Sequence, residues 1–454
     1  MIIGMARIKD LLDGALEALR RAGAGQGHAE YVGGSIALTR FAENRIHQNV
    51  SEEGGRVNLV AAVGRRLGAA TTNRIDAEGF SNAASRAVAL ASSRGDDCEF
   101  PGFVKWPPAV QLPEAYDAQT AQMAPETRAA IIGRAAAYAA ERGVAAYGAV
   151  KTGGGEIAIA NSAGTFQYFA VSAISASCTA MISGAAGSEE HGARACAMID
   201  APLAQFGSQA VDTALKARDP EKVSIGQWPV VLSPRAVAEL LRFLGWLGFN
   251  ARAHLEGRSC LCGKMGRRVM SDLVTVLDDG LSLEGQPLPF DFEGAPRSRL
   301  TLIEKGIPME LAHDSRTAAR AGVQTTGHSY GPMNFGGASP QHLVMLPGDA
   351  TLQDMITSTK RGLFVSRFWY TNVAEPSRCI LTGMTRDGLF LIEDGVIARP
   401  VRNMRFTESV LDAFDRVEMV GDTISNAGEE WGNGLTRCPA LKISAFSFTG
   451  ETEF

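Results

Sequence analysis

The feature that most constrains the fold of this chain is a change of pattern near residue 269. From Val269 onward the sequence consists mostly of short β-branched runs separated by turn signals, such as "DLVTVLDDG", "HLVMLPGD" and "GLFVSRFWYT". The run "GLFLIEDGVIARP" contains Asp394-Gly395, a dipeptide that favours the tight primed turn of a β-hairpin. Runs of this kind predict a twisted, barrel-like antiparallel sheet.

The first half of the chain mixes helices with strands. Apolar residues repeat at helical spacing from Ile8 to Leu19, which predicts an amphipathic helix. The stretches "YVGGSIALTRFAENRIHQNV" and "GRVNLVAAVGRRLGAATTN" then show the β-branched runs, broken by Gly and Asn, that are typical of antiparallel hairpins. The predicted fold class is therefore α+β: an N-terminal α/β domain with an antiparallel sheet and flanking helices, followed by a β-rich, barrel-like C-terminal domain.

The length of 454 residues predicts more than one domain, and two breaks in the pattern indicate where the domains meet. The proline-rich stretch "DDCEFPGFVKWPPAVQLPEAYD" cannot hold a regular element for long, and "KARDPEKVSIGQWP" has the composition of a linker. We predict an N-terminal α+β domain over 1–100, a central α+β region over 115–225 that packs with it, and the C-terminal β-rich domain over 229–454.

Charge and composition argue against several classes of partner. Lys and Arg number 44 against 49 Asp and Glu, and the net charge of -5 has no long runs, which disfavours nucleic acid and an anionic membrane surface. No stretch reaches the roughly 18 consecutive apolar residues that a membrane-spanning helix needs. The seven cysteines are scattered instead of forming a dense disulfide framework, so we expect reduced thiols and a cytoplasmic location.

One predicted helix has an unusually apolar sequence. Ser233 and Pro234 are a favourable N-cap and first residue, and they open the stretch "AVAELLRFLGWLGFN". Its apolar residues, Trp246 and Leu247 among them, cover nearly all sides of a helix. This pattern predicts a helix that is buried on every face.

A histidine, a carboxylate and two thiols follow this helix closely: His254, Glu256, Cys260 and Cys262. The Cys-x-Cys pair has no second Cys/His pair at zinc-finger spacing, and no two of the seven histidines lie within five residues of each other. A self-contained H-E-x-x-H zinc site is therefore excluded. Two interpretations stay open: a metal site of unfamiliar composition, or small buried thiols beside a surface histidine and glutamate.

Three other motifs are incomplete. Ser329 in "GHSYG" matches G-x-S-x-G, but the flanking "TTG" and "GPMNFGG" do not predict the strand and helix that expose a serine nucleophile. "GRSCLCGKMG" places Met265 where a P-loop needs a magnesium-binding hydroxyl. The pair Asp278-Asp279 is more typical of a turn after a strand than of an acid/base couple.

Several long stretches point to one family. Residues 362–414, from "GLFVSRFWYTNVAEPSRC" to "FTESVLDAF", carry the most specific match, and "ENRIHQNVSEEGGRVNLVAAVGRRLGAATTN", "GRSCLCGKMGRRVMSDLVTVLDD" and "RTAARAGVQTTGH" support it. These stretches resemble the TldD and TldE (PmbA) proteins, long described as modulators of DNA gyrase and now regarded as a peptidase system. The resemblance extends from about residue 30 to "CPALKISAFSFTG".

The resemblance also carries expectations about the site. TldD-type chains resemble metallopeptidases in which a helix bears H-E-x-x-x-H and a cysteine near the C-terminus supplies a third zinc ligand. The matching helix here has Arg242, Phe243 and Leu247 at those positions, the segment 425–427 matches the place of the cysteine, and Cys438 lies too late to substitute. The resemblance therefore implies a TldE-type subunit without catalytic residues, metal ligands or a cofactor of its own, and zinc in a TldD-like partner.

The partner implied by the resemblance is a TldD-like metallopeptidase subunit in a heterodimer, with a homodimer in isolation as an alternative and an unfolded peptide as the substrate. An extended peptide can pair with a sheet edge through its backbone, which tolerates many sequences. The candidate peptide-binding residues are Arg367, Trp369, Tyr370 and Asn403, for which the competing interpretation is an ordinary strand role.

Two functions of other classes stay open. The first is an enzyme in its own right, either a metallopeptidase whose metal set is built from His254, Glu256 and Cys260 or another hydrolase. The second is a non-enzymatic regulatory binding protein, as the older gyrase name suggests.

Overall fold

The computed structural model describes residues 2–427 and 435–452. The N-terminal part contains the helices α1 (Met5–Arg21), α2 (Ala77–Ser93), α3 (Ala118–Ala121), α4 (Pro125–Glu141), α5 (Asp200–Ala204) and α6 (Ser208–Lys216), with the strands β1 (Gln26–Ala42), β2 (Arg45–Val63), β3 (Arg66–Thr72), β4 (Ala145–Asn161), β5 (Phe166–Ile182) and β6 (Ala185–Ala193).

The C-terminal part is rich in strands. Its helices are α7 (Pro234–Gly248), α8 (Ala251–Leu255), α9 (Ser315–Ala321), α10 (Leu352–Thr357) and α11 (Val410–Asp415). Its strands are β7 (Gly226–Leu232), β8 (Val276–Asp278), β9 (Leu300–Glu304), β10 (Ile307–Pro308), β11 (Leu343–Met345), β12 (Arg361–Glu375), β13 (Ile380–Glu393), β14 (Val396–Pro400), β15 (Met404–Ser409), β16 (Val417–Val420), β17 (Ser425–Ala427), β18 (Thr436–Cys438) and β19 (Leu441–Glu451).

The first six strands form one antiparallel sheet in the order β3-β2-β1-β4-β5-β6. Each half is a three-stranded meander between two helices: α1 and α2 frame β1 to β3, and α4 and α6 frame β4 to β6. The halves join where β1 pairs with β4, from His28 opposite Asn161 to Phe41 opposite Gly148. The predicted antiparallel sheet with flanking helices is confirmed. Strands from the first two predicted regions share this sheet, and the boundaries of those regions stay predictions.

A glycine in the third strand of each half lets a helix approach closely. A Cβ atom at Gly68 in β3 would lie 2.3 Å from the carbonyl oxygen of Ala87 in α2. A Cβ atom at Gly187 in β6 would lie 2.2 Å from the carbonyl oxygen of Ala210 in α6. Both distances are far inside van der Waals contact, so only glycine allows this packing.

The long strands pass through two separate hydrophobic cores. One core lies under α1 and α2 and includes Leu12 and Leu59. The other lies under α4 and α6 and includes Ile132, Val150 and Ile174. Because β1, β4 and β5 are each 17 residues long, they span both cores and leave a stretch between the cores without helix cover.

The C-terminal part contains a closed five-stranded barrel. The strands follow the order β12-β7-β19-β15-β13, and β13 pairs back to β12, while β14 and β16 extend the sheet at its margin. The predicted barrel is confirmed, although one pair, β7 with β12, is parallel. Phe368, Phe406 and Phe446 fill the barrel with ring centroids 4.5 to 5.6 Å apart, so burial of aromatic surface favours closure.

A second C-terminal sheet has the order β10-β9-β8-β11-β18-β17, and α7 packs against it and against β12. Ser233 caps this helix by accepting a hydrogen bond from the backbone N–H of Ala236. The prediction that α7 is buried on every face is wrong, because Trp246 is 56% exposed and Phe243 and Leu247 are half-buried. The strands cover one side of the helix, so its apolar outer face reaches the surface.

Within the described residues, no helix is long and apolar enough to cross a membrane.

Candidate functional site

A cavity of about 730 Å³ lies between the first sheet and loops of the C-terminal part. It is the size of a small-ligand or short-peptide site. Its floor is the middle of β1, β2, β4 and β5, where the helices leave the sheet uncovered. Its opposite wall comprises Gln286, Leu288, Phe292, Gln341 and His342.

Three glycine runs lie side by side across the cavity floor. Gly33 and Gly34 of β1 are opposite Gly55 and Gly54 of β2, and Gly34 is also opposite Gly155 of β4. A Cβ atom at Gly34 would lie 2.3 Å from the carbonyl oxygen of Gly154. Neighbouring backbone leaves no room for a side chain at Gly34 or Gly153, whereas Gly54 has open space, and the glycine runs expose backbone in this part of the floor.

Asp278 holds the opposite wall in place. It is fully buried at the end of β8, and one carboxylate oxygen accepts hydrogen bonds from the backbone N–H groups of Gln341 at 2.6 Å and His342 at 2.8 Å. The other oxygen lies 2.9 Å from Nε2 of His328. Burial by itself raises the pKa of Asp278, but His328, His342 and Arg297 outweigh it and hold the pKa well below its usual range. Asp278 is thus an anchored structural anion and not part of an exposed turn.

Charged groups from the first sheet surround the floor. Glu52, Glu53 and Arg56 of β2, Lys151 of β4 and Glu190 of β6 all line the cavity. The first turn of α7 reaches the side of the cavity where Glu190 lies. Its Arg235 donates a hydrogen bond to the Ser188 carbonyl at 2.9 Å and lies 3.9 Å from the Glu190 carboxylate. The start of α7 is therefore tied to the cavity by an ion pair.

The sequence analysis did not predict this cavity. The available signal was the glycine runs Gly33-Gly34, Gly54-Gly55 and Gly153 to Gly155 inside runs of β-branched residues. Glycine inside a strand often marks the close approach of another backbone. The runs of β1 and β2 meet in a hairpin, but the run of β4 joins them through a pairing between residues more than 100 positions apart, which local patterns do not encode.

The structure separates the residues of the alternative metal set. His254 Nδ1 lies 4.0 Å from the Cys262 thiol, not from Cys260. Glu256 pairs with arginines on the surface. Cys260 is buried, and the neighbouring Cys379 thiol lowers its pKa. The side chains of His254, Glu256 and Cys260 therefore have three different sets of partners.

The candidate peptide-binding residues lie on the barrel. The Arg367 guanidinium packs over the Trp369 ring at 4.9 Å and donates to Asp387 at 2.6 Å. Tyr370 follows with 73% of its surface exposed, and Asn403 contacts Thr385, the residue opposite Phe368. The four candidates thus lie in one region of the barrel. They are not among the described residues that line the cavity.

Ser329 lies in a loop between α9 and β11, with neither a strand before it nor a helix after it. Only 1% of its surface is exposed, and its Oγ accepts a hydrogen bond from the Gly331 backbone at 3.1 Å. The neighbouring His328 uses its ring nitrogens on Asp278 and Thr326. This arrangement provides neither the exposed hydroxyl nor the free base of a serine nucleophile.

We therefore expect no covalent labelling of Ser329 by a fluorophosphonate probe, as checked by mass spectrometry of the treated chain. Ser329→Ala should give the same spectrum as the unchanged chain. Labelling that disappears in Ser329→Ala would contradict this expectation.

Comparison with known proteins identifies the family. Residues 225–450 match the family model described as the PmbA/TldA metallopeptidase C-terminal domain, and residues 118–218 match the model of the central domain. The chain belongs to the PmbA/TldD metallopeptidase family. Its similarity to TldE from Thermococcus kodakarensis has a TM-score of 0.87 at 17% identity and covers 97% of this chain and all of that one. This match reflects the fold.

Curated PmbA/TldD relatives are similar over a shorter region. A TldD homolog of Haemophilus influenzae, named as a metalloprotease, is 29% identical over 260 residues, which are 54% of this chain and 53% of that protein. The metalloprotease PmbA of Escherichia coli O157:H7 is 24% identical over 244 residues, or 52% of this chain and 50% of that protein. The chain spans about half the length of the curated relatives it matches.

A metallopeptidase family implies a bound metal, and the residues of α7 that the sequence resemblance matches to its ligands do not fit one. Arg242, Phe243 and Leu247 lie on α7, and β17 with residues 425–427 contacts that helix. The helix and the strand therefore meet, but the side chains at these positions are not zinc ligands of the usual kinds. Across residues 2–427 and 435–452, no group of three His, Cys, Asp or Glu side chains could hold a metal ion.

Proposed function

We propose that this chain is the TldE-like, non-catalytic component of a TldD/TldE-type metallopeptidase system that acts on unfolded peptides. One observation carries the proposal: α7 has Arg242, Phe243 and Leu247 at the positions that the sequence resemblance matches to the two histidines and the glutamate of H-E-x-x-x-H. A catalytic zinc needs three protein ligands, an open position for water and a general base. Leucine and phenylalanine supply none of these and instead contribute packing.

The proposed partner is a TldD-like subunit that carries H-E-x-x-x-H and the zinc, in a heterodimer located in the cytoplasm. The contribution of this chain is to enclose and orient the substrate. The glycine runs expose backbone in part of the cavity floor, and an extended peptide lying there meets few side chains that select its sequence, which suits substrates of varied sequence. The surface around Arg367, Trp369, Tyr370 and Asn403 is the proposed second contact, where aromatic and guanidinium groups pack against peptide.

The competing functions differ from this proposal in measurable ways. A metallopeptidase acting by itself needs three side chains that converge on one metal, whereas His254, Glu256 and Cys260 have separate partners. A regulatory binding protein needs no TldD-like partner for its activity. Metal content and peptide cleavage therefore distinguish the three possibilities.

We expect the purified chain to contain no stoichiometric zinc and to cleave no peptide. Co-expression with a TldD-like protein from the same organism should give a stable complex that cleaves an unfolded casein fragment and loses this activity on chelation. Zinc is measured by elemental analysis and cleavage by mass spectrometry. The matched control is the complex in which the glutamate of the partner's H-E-x-x-x-H is replaced by glutamine, which should assemble without cleaving.

Two results would refute the proposal. One is about one zinc per chain in the isolated protein, lost on His254→Ala or Cys260→Ala, together with chelator-sensitive cleavage. The other is the failure of every TldD-like protein from the same organism to bind the chain, which would favour the regulatory alternative.

A further inference from the structure

Three polar side chains cluster at the C-terminal wall of the cavity: Arg297, Gln341 and His342. Gln341 and His342 line the cavity, and Arg297 lies directly behind them and donates a hydrogen bond from Nη2 to the Gln341 side-chain oxygen. Their exposed fractions are 5%, 9% and 7%. The cluster is therefore a buried polar group at the edge of an otherwise open site.

Several nitrogen atoms of this cluster have no partner. Nε and Nη1 of Arg297, Nε2 of Gln341 and Nδ1 of His342 are buried without a hydrogen bond among the described residues. Buried polar groups are nearly always hydrogen-bonded, and exceptions mark a missing water, ion or ligand. Arg297 and Gln341 can only donate through these atoms. The missing group is therefore an acceptor.

The surrounding backbone holds this arrangement without a ligand. Asp278 accepts hydrogen bonds from the backbone N–H groups of both Gln341 and His342, and the backbone N–H of Arg297 donates to the Pro289 carbonyl at 2.9 Å. Gly280 leaves space beside the cluster, because a Cβ atom there would lie 2.8 Å from Cδ of Arg297 and 3.2 Å from Nδ1 of His342. Preorganised donors lose little entropy when a ligand binds.

The chemistry of the cluster favours a carboxylate. A guanidinium presents parallel N–H donors that match the two oxygens of a carboxylate, and charge-assisted bonds of this kind are strong. Burial, and after it the charge of Arg297, lower the pKa of His342 to about 3. The imidazole is thus neutral near pH 7, and its Nδ1 donates in the tautomer in which Nε2 carries no proton.

We propose that Arg297, Gln341 and His342 form a subsite that binds the carboxylate of an extended peptide lying in the cavity. The carboxylate is the C-terminus of the peptide or the side chain of an acidic residue. The subsite deepens the proposed function and rests on its assumption that the cavity holds peptide. It would orient the chain direction of a substrate that meets few selective side chains on the cavity floor.

Fluorescence polarisation with the full-length chain tests this subsite. The probe is a fluorescein-labelled peptide of alternating serine and alanine, about eight residues and roughly 26 Å long when extended. It is made with a free C-terminal carboxylate, with a C-terminal amide, and as an amide whose last residue is aspartate. We expect the free carboxylate to bind roughly tenfold more tightly than the amide, or better. Tight binding of the aspartate amide would assign the subsite to side-chain carboxylates as well.

Three variants locate the effect. Arg297→Gln and Gln341→Glu should each abolish the preference for the carboxylate, the first by removing the guanidinium and the second by supplying a competing carboxylate within the chain. Arg299→Gln is the matched control, because the Arg299 side chain is 57% exposed and pairs with Asp279, and it should keep the preference. Thermal unfolding shows whether each variant is folded. If Arg297→Gln does not fold, Gln341→Glu by itself tests whether the cluster causes the carboxylate preference.

The possible failures are distinguishable. Equal binding of the acid and the amide to the unchanged chain would mean that water satisfies the cluster, and it would overturn the subsite while leaving the proposed function intact. A preference that survives in Gln341→Glu would also overturn it. No binding of any of the three peptides, either to the chain or to its complex with a TldD-like partner, would contradict the peptide role in the proposed function together with the subsite.

Discussion

Leu244→Ala is expected to lower the free energy of unfolding of the C-terminal part by about 2 to 5 kcal/mol. Leu244 is fully buried in α7, where it belongs to the core that joins the barrel to the second sheet. The substitution removes buried methyl groups and leaves a cavity, because the surrounding strands cannot close around it. A loss of this size is a large share of the stability of a typical domain. Urea unfolding followed by circular dichroism measures it.

The matched control lies two residues further along the same helix. Trp246 is 56% exposed, so Trp246→Ala should change the free energy of unfolding by only about 0.5 kcal/mol. Equal effects of the two substitutions would show that the outer face of α7 is covered by something other than solvent. A negligible effect of Leu244→Ala would contradict the assignment of α7 to the core.

The second large effect is expected at Asp278. Asp278→Asn should cost about 3 to 5 kcal/mol, because the change removes the charge from a buried network and leaves its donors without their carboxylate. Those donors are the backbone N–H groups of Gln341 and His342, with the His328 imidazole on the other oxygen. The neighbouring Asp279→Asn is the control, since Asp279 is partly exposed and lies 3.8 Å from Arg299, and its loss should cost less than about 1 kcal/mol.

The pH dependence of the Asp278 effect has a definite sign. The pKa of Asp278 is held well below its usual range in the folded chain, while in the unfolded chain it is about 3.9. Its contribution to stability is therefore fully present above that value and is lost as the pH falls toward the folded pKa. The difference in unfolding free energy between the unchanged chain and Asp278→Asn should shrink below about pH 4. A difference that grows on acidification would contradict the buried ionised state.

The Asp278 and Leu244 variants should differ in their effect on peptide binding. Asp278 holds the backbone of Gln341 and His342, so the variant should also weaken any preference for a peptide carboxylate. Leu244 is not among the described residues that line the cavity. Leu244→Ala should therefore reduce stability without changing the preference for a peptide carboxylate in the fraction that stays folded. Measuring both properties on both variants separates loss of the fold from loss of the site.

The sequence by itself determined the fold class and many of the local elements. Ser233 and Pro234 open α7 as predicted, and Asp394 and Gly395 both adopt the positive φ angles, 48° and 79°, that a primed turn requires. Short β-branched runs and turn residues likewise predicted the strands of the barrel. These features depend on contacts within a few residues, so the local pattern is sufficient to specify them.

Only the tertiary structure decided which faces and sites these elements form. The apolar stretch of α7 did not reveal that Trp246 lies at the surface, because exposure depends on which strands pack against the helix. The glycine floor depends on the pairing of β1 with β4, and the proposed carboxylate subsite depends on Asp278, which reaches residues more than 60 positions away. Such contacts join segments that are remote in sequence, and their energies arise only after the chain has folded, which is why no local periodicity encodes them.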